Sequence, residues 1–573
     1  MGAFALIKES AFSFIEPVSQ SLQQQGFQRP IQLTRPGFQL FICPKQVNPI
    51  SNYYENSHGD FCVSVGTLMY QGLHGEPALR SLLDDFNQRP IPHNRFYGTY
   101  CILIYKAGRL FCFTDSLGLY KVYHNEEQTI LSSSFLALIT ATSKPVINKQ
   151  CVYEYIFQGA TYGTDTVINQ IATLEPHWLY KLIPNNKTYY RACHPQFKAA
   201  YGPLEILVED NVASLREQFA AINHCFGNKI DTALSGGYDS RLMLAMLREQ
   251  GTTPRLHVYG KSTDPDVLVA KTICESEHIP LQQVDKQQQL PLSPDALAQQ
   301  VNQTFYRFDG YPIDGVWDNG QDLATRQQRS EGGRLPLNGG GGEIYRNFFY
   351  LPDKSYTVQQ FLWSFYSQFD PAMCTQAFQQ QFYHRNLADK VKTTLNQARN
   401  RLNRTSIEYL YPAFRCRFWA GRNNSLNNRF GLALTPFMEM NSVTTAVNVP
   451  IKWKNHGILE ARMILNVDPI LAGYQSDYGH HFAAVPPLKH KLKDWLTYIR
   501  PPKLRQMTYR IKHRRQTLQR PYYLTADYLR QLINIEFPYL SQYVHVDKIK
   551  DNEQFNRVCT LELLFQRYNV SSN

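Results

Sequence analysis

Two adjacent glycines, an acid and two hydroxyls stand together in Ser235-Gly236-Gly237-Tyr238-Asp239-Ser240, directly before the apolar run 242–247. Ile230, Thr232 and Leu234 alternate as in a short strand, and the apolar run suits a buried helix. The glycines therefore fall on a strand-to-helix turn, where the first N–H groups of a helix point outward and favour an anion. Glycine lets the backbone approach a phosphate without a Cβ clash. Ser235 and Ser240 can donate hydroxyl hydrogen bonds, and Asp239 can hold a divalent cation against the phosphate charge. An isolated Ser-Gly-Gly is most simply a capped turn, but the whole string in this setting is suited to phosphate chemistry. A second run, Asn338-Gly339-Gly340-Gly341-Gly342-Glu343, also follows an apolar strand. Four consecutive glycines are costly to order, and close approach of a ligand would justify them. Glu343 is placed to share a metal with Asp239.

The elements around these turns change character along the chain. Up to about residue 195 the pattern is β-rich: an apolar strand over 61–70, a short amphipathic helix over 77–86, then strand–turn–strand–turn–strand over 95–124, with another strand within 165–182. These strands are apolar on both faces, which predicts a sheet covered on both sides. A polar linker over 184–203 and a helix over 204–226 follow. Strands at 255–260 and 281–285 then alternate with a helix at 265–279, which predicts a parallel α/β sheet. Beyond about 355 the chain reads as mainly helical.

Composition removes several classes. The chain has 573 residues with 43% hydrophobic and 13% aromatic content, enough for two or three cores and incompatible with disorder. No stretch approaches a membrane span, and the start lacks the organisation of a secretory leader or, with Leu6, of a myristoylation signal. The eleven cysteines show no Cys-x-x-Cys pair and read as free thiols in a reducing compartment, so a cytoplasmic protein is expected. Cys101 and Cys112 should face each other across a hairpin. Of the net charge of +12, residues 489–520 supply +10, from eleven Lys or Arg against Asp494. That segment reads as a solvated basic surface, with contact to pyrophosphate, an acidic substrate or nucleic acid as sharper alternatives.

The S-G-G-x-D-S string resembles the signature of the PP-loop ATP pyrophosphatases, and the chain as a whole resembles the asparagine synthetase family. In the first part the likeness rests on Phe96-Tyr97-Gly98-Thr99-Tyr100, on Thr114-Asp115-Ser116-Leu117-Gly118 with Tyr120 and Tyr123, and on Ile171-Ala172-Thr173-Leu174-Glu175-Pro176. In the second it rests on the two glycine turns, on Val258-Tyr259-Gly260 with Asp264-Pro265-Asp266, and on Arg429-Phe430-Gly431 with Leu434-Thr435-Pro436-Phe437, which put Glu439 near the place of a family acid. The resemblance implies an α+β sandwich of the N-terminal-nucleophile (Ntn) hydrolase type over 1–195. It implies an α/β PP-loop domain, of the adenine nucleotide alpha-hydrolase-like class, with a helical extension over 204–573. It further implies ATP and Mg²⁺ as cofactors. Leu234, Ser235, Gly236, Gly237, Ser240, Val258 and Gly339 would bind nucleotide, and Asp239 and Glu343 would be catalytic metal ligands.

The departures are informative. Gly2 stands where the family has its nucleophilic cysteine, so no acyl-enzyme can form there and the first domain is expected to be inert toward glutamine. The same loss occurs in β-lactam synthetases and lasso peptide cyclases, which join an amine and a carboxylate of their own substrates. Gly340 replaces a family glutamate. The family's late lysine has no clean match: Lys452, Lys454, Arg462 and Lys489 are candidates for the charge, and Tyr478 and His480 for acid–base work. The expected function is an ATP-dependent, AMP- and pyrophosphate-forming carbon–nitrogen ligase, with an ammonia-using amidotransferase or a non-catalytic ATP-binding scaffold as alternatives. Its expected partners are a small-molecule or peptide carboxylate and an amine or ammonia, with loops 305–321, including Asp309, Asp314 and Asp318, and the helical extension lining their site. No membrane or nucleic-acid partner is expected, and a homodimer is compatible.

Overall fold

The computed structural model describes residues 1–48, 51–191, 201–288, 290–515 and 518–572. Its first part stacks two antiparallel sheets. One has the strand order Ile171–Thr173, Tyr123–Asn125, Ile130–Ser132, Ala3–Lys8, Phe38–Cys43, Ile31–Arg35; the other runs Lys187–Tyr190, Trp178–Ile183, Arg109–Thr114, Phe96–Lys106, Phe61–Tyr70, Tyr53–Glu55. Alternation along each strand splits its side chains between two cores. Phe4 and Leu6 point inward with Val63, Val65, Leu103 and Leu110 of the facing sheet. Ala3, Ala5 and Ile7 point outward against helices Ile15–Gln24 and Phe135–Thr140. On the opposite side Ile102, Ile104, Phe111 and Phe113 pack on helix Glu76–Asp85. Double cover by helices is why these strands are apolar on both faces.

Details differ from the sequence pattern. No full third strand follows Leu117-Gly118; only Tyr123–Asn125 pairs, because Asp115 turns the chain by accepting the N–H groups of Leu119 and Tyr120, both at 2.8 Å. The stretch 165–182 gives two short strands, one in each sheet. Part of the expected linker, Lys187–Tyr190, is an edge strand, and residues 192–200 lie outside the described residues. Cys101 and Cys112 sit diagonally, with Cys101 opposite Thr114, and their thiols touch at 3.6 Å without bonding.

After helix Leu204–Phe226 comes a four-stranded parallel sheet in the order Leu281–Val284, Arg255–Tyr259, Ile230–Ala233, Leu335–Leu337. A parallel bridge between Leu337 and Leu434 adds a fifth position. The chain leaves Ile230–Ala233 toward one neighbour and returns much later on its other side as Leu335–Leu337. The crevice between these two strands is thus the topological switch point, the usual place for a ligand in such sheets. Helix Tyr238–Glu249 is held beneath it by residues 242–247, all fully buried. Since one buried Leu contributes about 1.5–3 kcal/mol, this helix start is firmly placed. Most of the remaining chain is helical, including a π-helical turn Tyr411–Ala420.

The central strand carries a buried acid, Asp231, gripped by Arg255 and Arg329 (Nε at 2.7 Å each) with His257 Nδ1 at 3.3 Å. Burial opposes its ionisation, but His257 and Arg329 overcome that and hold its carboxyl well below the usual range. A depressed acid contributes stability above its unfolded pKa, near 4, and loses that contribution as pH falls. Asp231→Asn should cost about 2–4 kcal/mol at neutral pH, since two guanidinium groups lose their partner. In urea unfolding across the pH range, the gap between variant and wild type should close as pH drops below about 4; a pH-independent gap would refute the ionic account.

Candidate active site

The two glycine turns leave the carboxyl ends of adjacent strands and meet. Asp239, at the start of its helix, lies against the second turn: a Cβ on Gly342 would come within 2.3 Å of Asp239 Oδ1, and one on Gly339 within 3.5 Å of Asp239 Cβ. Gly341 adopts a φ of 96°, which side-chain-bearing residues rarely take. Close approach therefore explains Gly342 and backbone conformation explains Gly341, whereas a Cβ on Gly339 would make only ordinary contact. The turn also brings Glu343 within electrostatic range of Asp239.

The first turn is braced from within. The hydroxyls of Ser235 and Ser240 are 3.0 Å apart, Ser235 N–H donates to Ser240 Oγ (3.0 Å), and Gly237 N–H donates to Ser235 Oγ (3.3 Å). Gly236 N–H donates to Asp266 Oδ1 at 2.8 Å, so a carboxylate already sits where the turn's amides attract an anion. The hairpin 475–481 covers this turn, with Asp477 N–H donating to Gly236 O (3.4 Å). The fully buried Arg241 holds it by donating to the carbonyls of Tyr474 and Gln475. Leu234 and Val258 are buried core residues, which leaves only their backbone to meet a nucleoside.

Three residues that the motifs did not single out complete the arrangement. Arg346 Nη2 donates to both Asp239 oxygens at 2.8 Å, and its Nε lies 2.9 Å from Oε2 of Glu460, a fully buried acid. Tyr411 donates its hydroxyl to Glu343. Two carboxyls thus contact one guanidinium, and the charge of Glu343 acts on it from farther away. Burial, and then the charge of Asp239, raise the Glu460 carboxyl well above the usual range; burial likewise raises Asp239. Neither Glu460 oxygen has a well-aligned donor, and the Asp239 carboxyl lies within its electrostatic reach. Sequence signals for two of these residues exist in hindsight. Arg346 follows Glu343 by three residues, and Glu460 is an acid on the buried Leu459, Met463, Ile464 face of helix Ile458–Val467.

The donor chemistry here is hard oxygen with surplus negative charge, which suits Mg²⁺. No group of three or more His, Cys, Asp or Glu among the described residues is arranged to hold a metal by itself. Mg²⁺ bound mainly through phosphates needs only one or two carboxylates, so Asp239 and Glu343 fit that role, provided Arg346 yields Asp239's oxygens.

Of the residues considered for the unmatched lysine, Lys452, Arg462 and Lys489 are exposed. Lys454 is fully buried in an ion pair with Glu408 (2.6 Å). Tyr478 and His480 do reach the site: Arg346 Nη1 is 3.5 Å from the Tyr478 hydroxyl, and His480 Nε2 is 3.4 Å from that of Tyr238. Glu439 points elsewhere, accepting the N–H of Gly98 at 2.8 Å. Asp309 is also not a cleft residue; it is buried, capping helix Phe135–Thr140. Asp314 and Asp318 do line a cleft of about 560 Å³ with Lys286, Trp317, Asp322 and Tyr522. It opens near the sheet's carboxyl edge, where the Lys286 ammonium lies over the Tyr259 ring.

At the other end of the molecule Gly2 is hemmed in. A Cβ there would be 3.0 Å from Arg429 O and 3.1 Å from both Lys45 Cα and Phe27 Cε1. The nearby Cys43 thiol is buried and pushed up to about 12, far from a nucleophile's range. Lys45 is also buried, donating to the carbonyls of Asn428 (2.8 Å) and Gly431 (2.7 Å), and burial pushes it down to about 7.

No family model and no curated protein matches the chain. Several solved structures resemble it distantly, the following two among them. The first is described as the allosteric regulatory enzyme of purine biosynthesis, at 10% identity and a TM-score of 0.23, covering 52% of this chain and 69% of that one. The second is the glutamine phosphoribosylpyrophosphate amidotransferase from B. subtilis, at 11% identity and a TM-score of 0.21, covering 60% and 77%. Likenesses this distant carry no argument about chemistry.

A carboxyl with a raised folded pKa binds its proton more tightly in the folded state, so stability falls as pH rises above about 4.3. Glu460→Gln should therefore raise the unfolding temperature, with a gain of roughly 2 °C or more by about pH 9 that grows from about pH 5. A gain that shrinks with pH would show that Glu460 is ionised.

Proposed function

We propose that this protein is an ATP-dependent ligase that activates a carboxylate as its acyl-adenylate, releasing pyrophosphate, and passes the acyl group to an amine or ammonia. The observation that carries the reading is the convergence of the two glycine turns at the switch point, with Asp239 pressed against Gly342 and Asp266 docked on Gly236 N–H. On this reading the phosphates displace Asp266 and take the N–H groups of Gly236 and Gly237 and the hydroxyls of Ser235 and Ser240. Asp239 and Glu343 would hold Mg²⁺, which offsets charge on the leaving pyrophosphate. Arg346, freed from Asp239, would turn its guanidinium to the same charge. The hairpin 475–481 keeps water from the turn and presents Tyr478 and His480 toward the reacting groups. The acids of the 560 Å³ cleft suit a cationic amine better than the carboxylate.

The sandwich over the first part is then an Ntn-like scaffold without a nucleophile. Gly2 has no attacking atom, and its surroundings leave little room for one. The rival reading, a nucleotide-binding scaffold without turnover, draws support from the candidate lysines being exposed or, at Lys454, engaged by Glu408.

With Mg²⁺, α-labelled ATP and candidate amine–carboxylate pairs, the label should appear in AMP rather than ADP. Asp239→Ala should lower pyrophosphate release by about 100-fold or more, with the circular dichroism spectrum unchanged. ATP binding without AMP formation for any acceptor would favour the scaffold, and glutamine hydrolysis by the intact chain would overturn the inert first part.

A further inference from the structure

Among the described residues, the basic segment supplies none of the site contacts, and it reaches the first glycine turn through His456, which pairs with Asp494 and accepts from Tyr238. Its first helix, Leu488–Tyr498, is anchored on one side: Asp494 pairs with His456 at 2.7 Å, and the Tyr498 ring lies 5.7 Å from that of Tyr350. The second helix, Pro502–Arg515, is tied down by Arg505, which donates to the carbonyls of Phe349, Tyr350 and Thr497. The face turned away from these anchors is apolar. Leu488 is 83% exposed, and Leu492, Trp495, Leu496 and Ile499 are each 50% exposed or more. At helical spacing these five form a stripe about 100° wide. Leu504, Met507 and Ile511 on the second helix, and Val485 before the first, are also exposed. Lys489, Lys493 and Arg500 flank the stripe on its free side, with Lys503 and Lys512 exposed on the next helix. The segment's single acid, Asp494, is turned inward and nearly buried.

We propose that this helical hairpin docks the protein on an anionic lipid surface. Peripheral helices bind bilayers with Leu, Ile and Trp in the acyl boundary and Lys or Arg among the headgroups, which is the arrangement here. Large aliphatic patches of this kind are unusual on a monomer's free surface. A nucleic acid would be met by aromatic stacking, but Trp495 is the single aromatic of the stripe. A second copy meeting through the same face would bring two strongly positive segments together. No helix among the described residues is long and apolar enough to cross a membrane, so the contact is peripheral. This differs from the expectation of no membrane partner, which rested on the lack of a spanning segment.

The test is vesicle flotation of the intact chain, with phosphatidylcholine alone and with phosphatidylglycerol added. The wild type should bind the anionic vesicles about 10-fold or more tightly, and less so at high salt. Leu492→Glu/Trp495→Glu and, separately, Lys493→Gln/Arg500→Gln should each lose about 10-fold. Both variants should unfold at the wild-type temperature, because the altered side chains are at the surface. Absence of vesicle binding, or binding unchanged in either variant, overturns the proposal. If the apolar variant instead abolishes self-association or RNA binding while vesicles are ignored, the face belongs to that partner.

Discussion

One guanidinium joins the parts of the site. Arg346 spans Asp239 of the first glycine turn and Glu460 of a buried helix, and it follows Glu343 of the second turn by three residues. Without a cation there, the buried carboxyls could approach each other only by taking up protons. Burial first, and then the neighbouring Asp239 charge, raise the Glu460 carboxyl in spite of Arg346. On the proposed reading, a divalent ion arriving with phosphates would take Asp239 and leave Arg346 with Glu460.

The rest of the chain supports this geometry through buried polar links between its first and later parts. Asp309 accepts the backbone N–H groups that open helix Phe135–Thr140 and also pairs with Arg422. Lys45 reaches the carbonyls of Asn428 and Gly431, and Glu439 accepts from Gly98. These contacts fix segment 421–439, which follows the π-helical turn carrying Tyr411 and includes Leu434 beside the sheet. The first part thereby helps to determine where segment 421–439 lies beside the sheet.

Much of this was legible in the sequence. Strand Phe61–Tyr70 and helix Leu204–Phe226 lie where periodicity puts them, because long elements with one dominant pattern resist tertiary override. The glycine turns were legible because glycine is costly without a reason. Arg346 and Glu460 leave only faint signals, a position three residues after Glu343 and an acid on an apolar helix face, because the meaning of a lone charge depends on which distant group folds against it. Glu439 misled for the same reason: position in a motif does not say which way a side chain points. The basic segment was visible as charge, but its apolar stripe was not, because only burial tells an exposed leucine from a core one.

The most direct test of the cradle needs no knowledge of the acceptor. Calorimetric titration of the intact chain with magnesium pyrophosphate should give saturable one-to-one binding, competed by ATP and lost in Ser235→Asp, which places a negative charge in the turn. No binding of pyrophosphate or ATP at millimolar concentration, or binding indifferent to Ser235→Asp, would mean that the two glycine turns close on themselves and not on a phosphate.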